Sequence, residues 1–274
     1  METGSKALLQ RVDVSDAQRI VVFYGTDFLY LSVWSEKGKR LATEHYTFNR
    51  VAGDYLLEKI FTEFFSKSDI HRLLNDVQVD IYPSHAPYTL VPSTFFQESE
   101  KRTLLQLECE LPLSSDVIAL PVDSCDSILL TAVPQQLHRF FASYFTQFSW
   151  CHPVADRLNK VQNSDREARV WVYGMNDRFD VLIYGDQGQL LLANSYPFKT
   201  DQDFIYFLLF ALEQTGMDRM TIPVLLDGFI MPDSPIFELA HTYIRYVRVA
   251  KSGASGDALT WLGPENEPKF NQVK

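Results

Sequence analysis

Two stretches of the chain carry the same order of apolar and polar positions. Residues 19–35, RIVVFYGTDFLYLSVWS, are two runs of β-branched and aromatic residues split by Gly25-Thr26-Asp27, and that turn chemistry predicts a β-hairpin. A second turn at Glu36-Lys37-Gly38 leads into RLATEHYTF at 40–48, a third strand with irregular alternation. After Gly53-Asp54 the apolar positions Leu56, Leu57, Ile60, Phe61, Phe64 and Phe65 recur at helical spacing, with Glu58, Lys59 and Glu63 between them. This spacing predicts a helix with one buried face. VQVDIY at 77–82 then reads as a fourth strand.

The order returns about 150 residues later. RVWVYGMNDRFDVLIYG at 169–185 gives strand, turn and strand, Asp186-Gln187-Gly188 the second turn, LLLANSYPF the third strand, Thr200 to Gln214 a helix, and TIPVLL at 221–226 the fourth strand. Tyr24-Gly25 matches Tyr173-Gly174 at an offset of 149, whereas Gly38, Leu41, Tyr46 and Phe48 match Gly188, Leu191, Tyr196 and Phe198 at 150; one extra turn residue accounts for the slip. Chance is the competing reading, because a hairpin followed by a helix is a common unit. Three meandering strands, a helix and a parallel fourth strand are the order of a ribonuclease-H-like unit. Two of them give an α/β fold of duplicated ribonuclease-H-like lobes, the actin-like ATPase (sugar kinase, Hsp70 and actin) superfamily architecture.

The expected division is an N-terminal extension over 1–18, a first lobe over 19–160 with an inserted subdomain at about 103–133, a second lobe over 161–251, and a loose polar tail over 252–274. In the second lobe, Thr200 and Asp203 form a variant capping box and Gly216 is placed to end the helix. Between those signals Phe204, Ile205, Tyr206, Phe207, Leu208, Leu209 and Phe210 cover every face. A helix apolar all round is expected to be buried all round, here between its own sheet and the other lobe.

Composition narrows the classes. At 46% hydrophobic and 22% charged the chain is an ordinary globular protein of 274 residues, large enough for two cores. The formal charge is −10, and the densest basic cluster, Lys37-Gly38-Lys39-Arg40, reads as a hairpin turn, so nucleic acid is not an expected partner. Cys109, Cys125 and Cys151 lack the close spacing of metal sites and fit a reducing cytosol. The N-terminus lacks a signal-peptide apolar region, and the longest apolar run, Phe204 to Leu212, is about half of the roughly 20 residues a membrane helix needs. A soluble, cytoplasmic protein without a transmembrane segment is expected.

The segment GQLLLANSYPFKTDQDFIYFLLFALEQTGMDR, starting at Gly188 and taking in the strand at 190–195, the helix at 203–210 and Gly216 with Asp218 and Arg219, closely resembles the signature of a bacterial family, domain of unknown function 3822. The resemblance runs more weakly through TLVPSTFF at 89–96 and ADRLNK at 155–160, and so spans most of residues 19–250. It implies an actin-like ATPase fold without an assigned activity, similar in architecture to the cytoplasmic assembly platforms of type IV pili and type II secretion. It carries no catalytic residues over.

Actin-like ATPases place an Asp-x-Gly turn between the first two strands of each lobe, the acid managing Mg²⁺ and the glycine letting backbone N–H groups approach phosphate. The matching turns here are Phe23-Tyr24-Gly25 and Val172-Tyr173-Gly174, so both acids are apolar. Asp27 and Asp177 are either substitutes or solvated turn residues. Gly25, Thr26, Gly174, Asp227 and Gly228 are the candidate nucleotide-contacting positions, the last two falling where an adenosine loop would lie. No metal ligands and no catalytic residues stand out: Cys151-His152 reads as packed, His85 as a loop residue, and His45, His71, His138 and His241 as scattered. Leu137, Phe140, Phe141, Tyr144, Phe145 and Phe148 keep helical spacing after Pro134 and predict a core helix or a partner groove.

The expectation is a non-catalytic protein-binding or scaffold protein without a cofactor. The insertion at 103–133 is the candidate surface for its protein partner. The alternative is an ATP (Mg-ATP) binder with weak or no hydrolysis, using the inter-lobe cleft. A third class, an enzyme of another kind in that cleft, has no motif behind it.

Overall fold

The structure is a computed structural model and describes residues 6–8, 16–49, 53–68, 77–84, 86–160 and 169–250. The chain divides into two compact units, Met1–Arg157 and Leu158–Lys274. The expected tail over 252–274, most of the N-terminal extension, His71 and His85 lie outside the described residues.

The first unit runs β1 (Lys6–Leu8), β2 (Ala17–Tyr24), β3 (Phe28–Ser35), β4 (Arg40–Thr47), α1 (Asp54–Lys67), β5 (Gln78–Pro83), β6 (Tyr88–Pro92), α2 (Lys101–Gln106), β7 (Ser115–Val122), β8 (Ser127–Pro134), α3 (Gln135–Tyr144) and β9 (Phe148–Trp150). Helix α4 (Pro153–Lys160) follows and crosses the boundary between the units. The main sheet has the order β1-β4-β3-β2-β5-β9, with β2 antiparallel to β3 and parallel to β5. The second unit runs β10 (Arg169–Gly174), β11 (Arg178–Tyr184), β12 (Leu190–Pro197), α5 (Asp201–Gln214), β13 (Pro223–Gly228), α6 (Pro235–Tyr243) and β14 (Tyr246–Val249), in the sheet order β12-β11-β10-β13-β14. Each unit is a meander, a helix and a parallel strand, so the fold is two ribonuclease-H-like units.

Backbone hydrogen bonds fix how the units correspond. Gly25 N–H bonds Phe28 O and Met175 N–H bonds Arg178 O; Phe48 N–H bonds Asp27 O and Phe198 N–H bonds Asp177 O; Ser35 N–H bonds Lys39 O and Gly185 N–H bonds Gln189 O. Each second-unit partner is numbered 150 above its counterpart. The register irregularity at Val33/Trp34 returns at Ile183/Tyr184 with the same offset. The offset of 149 for Tyr24-Gly25 is therefore corrected, because Tyr24 corresponds to Gly174 and Gly25 to Met175. The slip arises from a chance Tyr-Gly identity.

In the first unit α1 and α3 cover one face of the main sheet. Phe61, Phe65 and Phe141 are fully buried there with Ile20, Val22 and Tyr24 from β2. Leu57 and Phe64 join them, but Leu56 turns outward at 43% exposed. The expected helix after Pro134 stops at Tyr144, and Phe148 begins β9, where Phe148-Ser149-Trp150 pair in parallel with Val79-Asp80-Ile81. Those ladder bonds satisfy backbone groups that a longer helix would have carried away from the sheet.

Helix α5 has the expected ends. Thr200 Oγ1 accepts from Asp203 N–H at 3.1 Å, the Asp203 carboxylate accepts from Thr200 N–H at 3.0 Å, and Gly216 (φ +71°) closes a Schellman motif with Met217 N–H on Leu212 O at 2.8 Å. It is not buried all round. Phe204, Leu208, Ala211 and Leu212 are buried in the core beneath it and Phe207 stacks on Tyr196, but Tyr206 is 62% and Phe210 41% exposed. Its own sheet covers one side and α6 packs beside it, and the apolar run continues past what those contacts need.

The outer edges of the two meanders are satisfied differently. Strand β4 takes β1 alongside it, Ala7 opposite His45. At β12, the end of its sheet among the described residues, Asn194 Oδ1 accepts Ser195 N–H at 2.8 Å, and Pro197 has no N–H to leave unpaired.

The first unit also holds a separate three-stranded antiparallel sheet, β6-β8-β7, which begins at Tyr88. Leu105 of α2 is fully buried against it with Val91, Val117, Leu130 and Ala132.

Candidate functional site

In the first unit β2 delivers Gly25 and Thr26 to the turn at its C-terminal end. Gly25 is buried because Phe28 closes over it: a Cβ there would lie 2.5 Å from Phe28 Cε1 and 2.9 Å from Ser84 Oγ. Its N–H is taken by Phe28 O at 3.0 Å, and Tyr24 O takes Ser84 N–H at 2.8 Å. Thr26 is half-buried. Tyr24 points toward the helices, with ring centroids 5.4 Å from Phe61 and 5.7 Å from Phe141. Burial raises its pKa, helped by the Asp54 charge, so the phenol stays neutral.

In the second unit Gly174, Asp227 and Gly228 come together at the C-terminal ends of β10 and β13, where Gly174 and Gly228 are register partners. A Cβ on Gly174 would lie 2.5 Å from Ile230 Cδ1. Gly228 has φ +79°, and a Cβ there would lie 2.3 Å from Gly174 O, which already accepts Phe229 N–H at 2.9 Å. Asp227 is buried, its Oδ1 accepting Gly228 N–H at 2.8 Å and its Oδ2 accepting Trp171 Nε1–H at 3.2 Å. Trp171 stacks on Tyr173 at 5.5 Å.

The uniform offset changes one pairing. Phe23-Tyr24-Gly25 corresponds to Tyr173-Gly174-Met175, so the positions that would carry acids are Phe23 and Tyr173, not Phe23 and Val172. Both are fully buried. Asp27 and Asp177 hold equivalent places, each carbonyl accepting the N–H of the residue just past the third strand of its meander, Phe48 and Phe198.

Asp180, opposite Tyr173 on β11, is fully buried, and burial pushes its pKa up to about 6 against the pull of a Ser195 hydrogen bond and the Arg178 charge. The unfolded carboxyl titrates near 4, so between about pH 4 and pH 6 the native state holds more protons and stability falls as pH rises through that window. Asp180→Asn removes the penalty. Relative to wild type it gains up to about 3 kcal/mol at pH 7 and nothing at pH 4; urea unfolding at both pH values reads the difference, and a pH-independent one would refute the assignment.

Cys151 and His152 follow the end of β9. Burial raises the Cys151 thiol to about 12, and Asp80 and Asp156 add to the shift. His152 is buried, its Nδ1 accepting Val154 N–H at 3.2 Å. Beside them Arg19 pairs with Asp80 and donates to Tyr82 Oη at 3.0 Å, and Tyr82 donates on to Asp156. These partners lie 61 to 74 residues apart along the chain, so no local signal announced the network. Among the described residues no three His, Cys, Asp or Glu side chains form a metal-holding group. Nor, among the described residues, is any helix long and apolar enough to cross a membrane.

Paired units of this topology define the actin-like ATPase fold. A Bacteroides thetaiotaomicron protein described as having that fold and unknown function matches with a TM-score of 0.78 at 15% identity, over 92% of this chain and 96% of that one. The ethanolamine utilization protein EutJ from Carboxydothermus hydrogenoformans matches with a TM-score of 0.48 at 14% identity, over 88% and 87%. No curated protein matches the sequence. Residues 11–247 match the family described as "Protein of unknown function (DUF3822)", and the chain belongs to that family.

Proposed function

We propose that the protein is a non-catalytic member of the actin-like ATPase fold that acts by binding a protein partner. The observation that carries this reading is the filling of both turns. Phe28 closes over Gly25, and the corresponding position of the second turn holds a buried Met175 in place of a glycine, where an approaching phosphate would need backbone N–H groups bare. The acid positions hold buried Phe23 and Tyr173, and both carboxylate oxygens of Asp227 are engaged within the protein. Gly174 and Gly228 are glycines because side chain and backbone press on them, a demand that needs no ligand.

Support for a protein partner comes from the inserted sheet. Phe95, Leu107 and Leu113, around α2, are 73%, 81% and 92% exposed. They are the three most exposed of the large apolar side chains among the described residues, and all three belong to this one part of the first unit.

Calorimetric titration of the full chain with Mg-ATP tests the reading, and a flat trace is expected. One-site binding would overturn it in favour of a nucleotide binder. Thermal melting is the independent check, since a ligand at 100 times its dissociation constant adds about 2.7 kcal/mol to stability.

A further inference from the structure

The loop Leu107-Glu108-Cys109-Glu110-Leu111-Pro112-Leu113 sits between α2 and β7 and is held in place from inside. Arg102 donates to Ser115 O at 2.7 Å and reaches Leu113 O at 3.3 Å and Pro112 O at 3.4 Å. At the other end Cys109 N–H bonds Leu105 O at 3.3 Å, and Leu105 is fully buried. Leu111 is half-buried against the core of the small sheet. What the loop shows to solvent is Leu107, Pro112 and Leu113 with Glu108 and Glu110.

The part of the first unit that carries it is acidic, with Glu108 and Glu110 in the loop itself. Residues 88–134 carry seven acids (Glu98, Glu100, Glu108, Glu110, Asp116, Asp123, Asp126) against Lys101 and Arg102, a balance of −5 in a chain whose total is −10. Both bases are already engaged, Lys101 with Glu98 and Arg102 with the loop carbonyls. The surface is therefore two protruding leucines with exposed carboxylates beside them, on a loop backbone already held by hydrogen bonds, which lowers the ordering cost at binding. A partner that fits it supplies an apolar stripe flanked by cations.

We propose that the 107–113 loop docks a basic amphipathic segment of a partner protein, its apolar face on Leu107 and Leu113 and its lysines or arginines on Glu108 and Glu110. This inference rests on the protein-binding reading above and names the chemistry of the partner.

The test uses the full chain and labelled synthetic peptides of about 14 residues, some four helical turns. One carries leucines at helical spacing with lysines elsewhere, the second the same leucines with glutamates, the third the lysine peptide in scrambled order. Fluorescence anisotropy is expected to show saturable binding of the lysine peptide, weaker binding of the scrambled one and none of the glutamate one. Leu107→Ser with Leu113→Ser, and separately Glu108→Lys with Glu110→Lys, are each expected to weaken binding at least about tenfold at unchanged melting temperature. Equal binding of ordered and scrambled peptides, or binding untouched by both double substitutions, overturns the proposal. Binding of the glutamate peptide, lost with the two serines, overturns the basic partner and leaves the protein-binding reading standing; Mg-ATP binding by calorimetry overturns that reading instead.

Discussion

Gly228→Ala will cost the folded protein about 3–5 kcal/mol, the sum of a left-handed backbone for a residue with a Cβ and the displacement of a neighbour that is itself backbone. At φ +79° the new methyl would sit 2.3 Å from Gly174 O and 3.1 Å from Tyr173 Cε2. Gly174 O is not free to retreat, because it is fixed by Phe229 N–H and lies on a central strand between β11 and β13. Gly216 provides the comparison: its φ is +71°, but no atom lies within 4 Å of the place its Cβ would take. Gly216→Ala should therefore lose only the conformational part, about 1 kcal/mol. Urea unfolding of the two variants separates the contributions. Equal losses would mean that the crowding at Gly228 is relieved at little cost and that the glycine is retained for another reason.

Phe65→Ala is expected to be comparably damaging, about 3–5 kcal/mol, from lost transfer energy and the cavity it leaves. Phe65 is 1% exposed, and its ring centroid lies 5.6 Å from Phe64, 5.8 Å from Phe140, 6.4 Å from Phe141, 5.2 Å from Tyr144 and 5.6 Å from Phe145. Four of those rings belong to α3 or its C-cap, so the truncation removes much of what holds α1 and α3 together. Phe65→Leu keeps most of the volume and should cost less than about half as much. Denaturant midpoints give the energies, and hydrogen exchange of α1 amides shows whether the loss is local. A loss under about 1 kcal/mol for the alanine variant would mean that the ring cluster collapses onto the gap.

What was legible in the sequence was local. Runs of β-branched and aromatic residues split by turn residues gave the hairpins, and helical spacing gave α1, because both patterns are written in near neighbours along the chain. Thr200 with Asp203, and Gly216, announced the ends of α5 by cap chemistry that needs no tertiary information. Apolar spacing failed wherever it had to say what lies opposite. Phe148 kept the helical period of α3 yet belongs to a strand, since its partner strand β5 lies far earlier in the chain. Tyr206 and Phe210 are as apolar as their neighbours yet face outward, because hydrophobicity does not state how many sides of a helix are covered.

The candidate site divides the same way. Gly25, Gly174, Asp227 and Gly228 were recognisable as turn residues, but what occupies the space beside them was not. Phe28 closely follows the Gly25 it covers and Ile230 lies far along the chain from the Gly174 it covers, and neither carried a mark, since an apolar residue after a turn reads as the start of the next element. Arg102 gave no signal either: its acceptors are backbone carbonyls, which every residue has.

The shared 150-residue spacing has a practical meaning. From Ile20 to Phe48 and from Val170 to Phe198 the halves match without insertion or deletion, down to the same irregularity beside the second turn. What the two halves share, under different side chains, is a backbone template of equal length. A chimaera with one meander written twice would hold the ladder constant and vary only its upholstery, leaving side-chain packing alone to account for any difference between the halves.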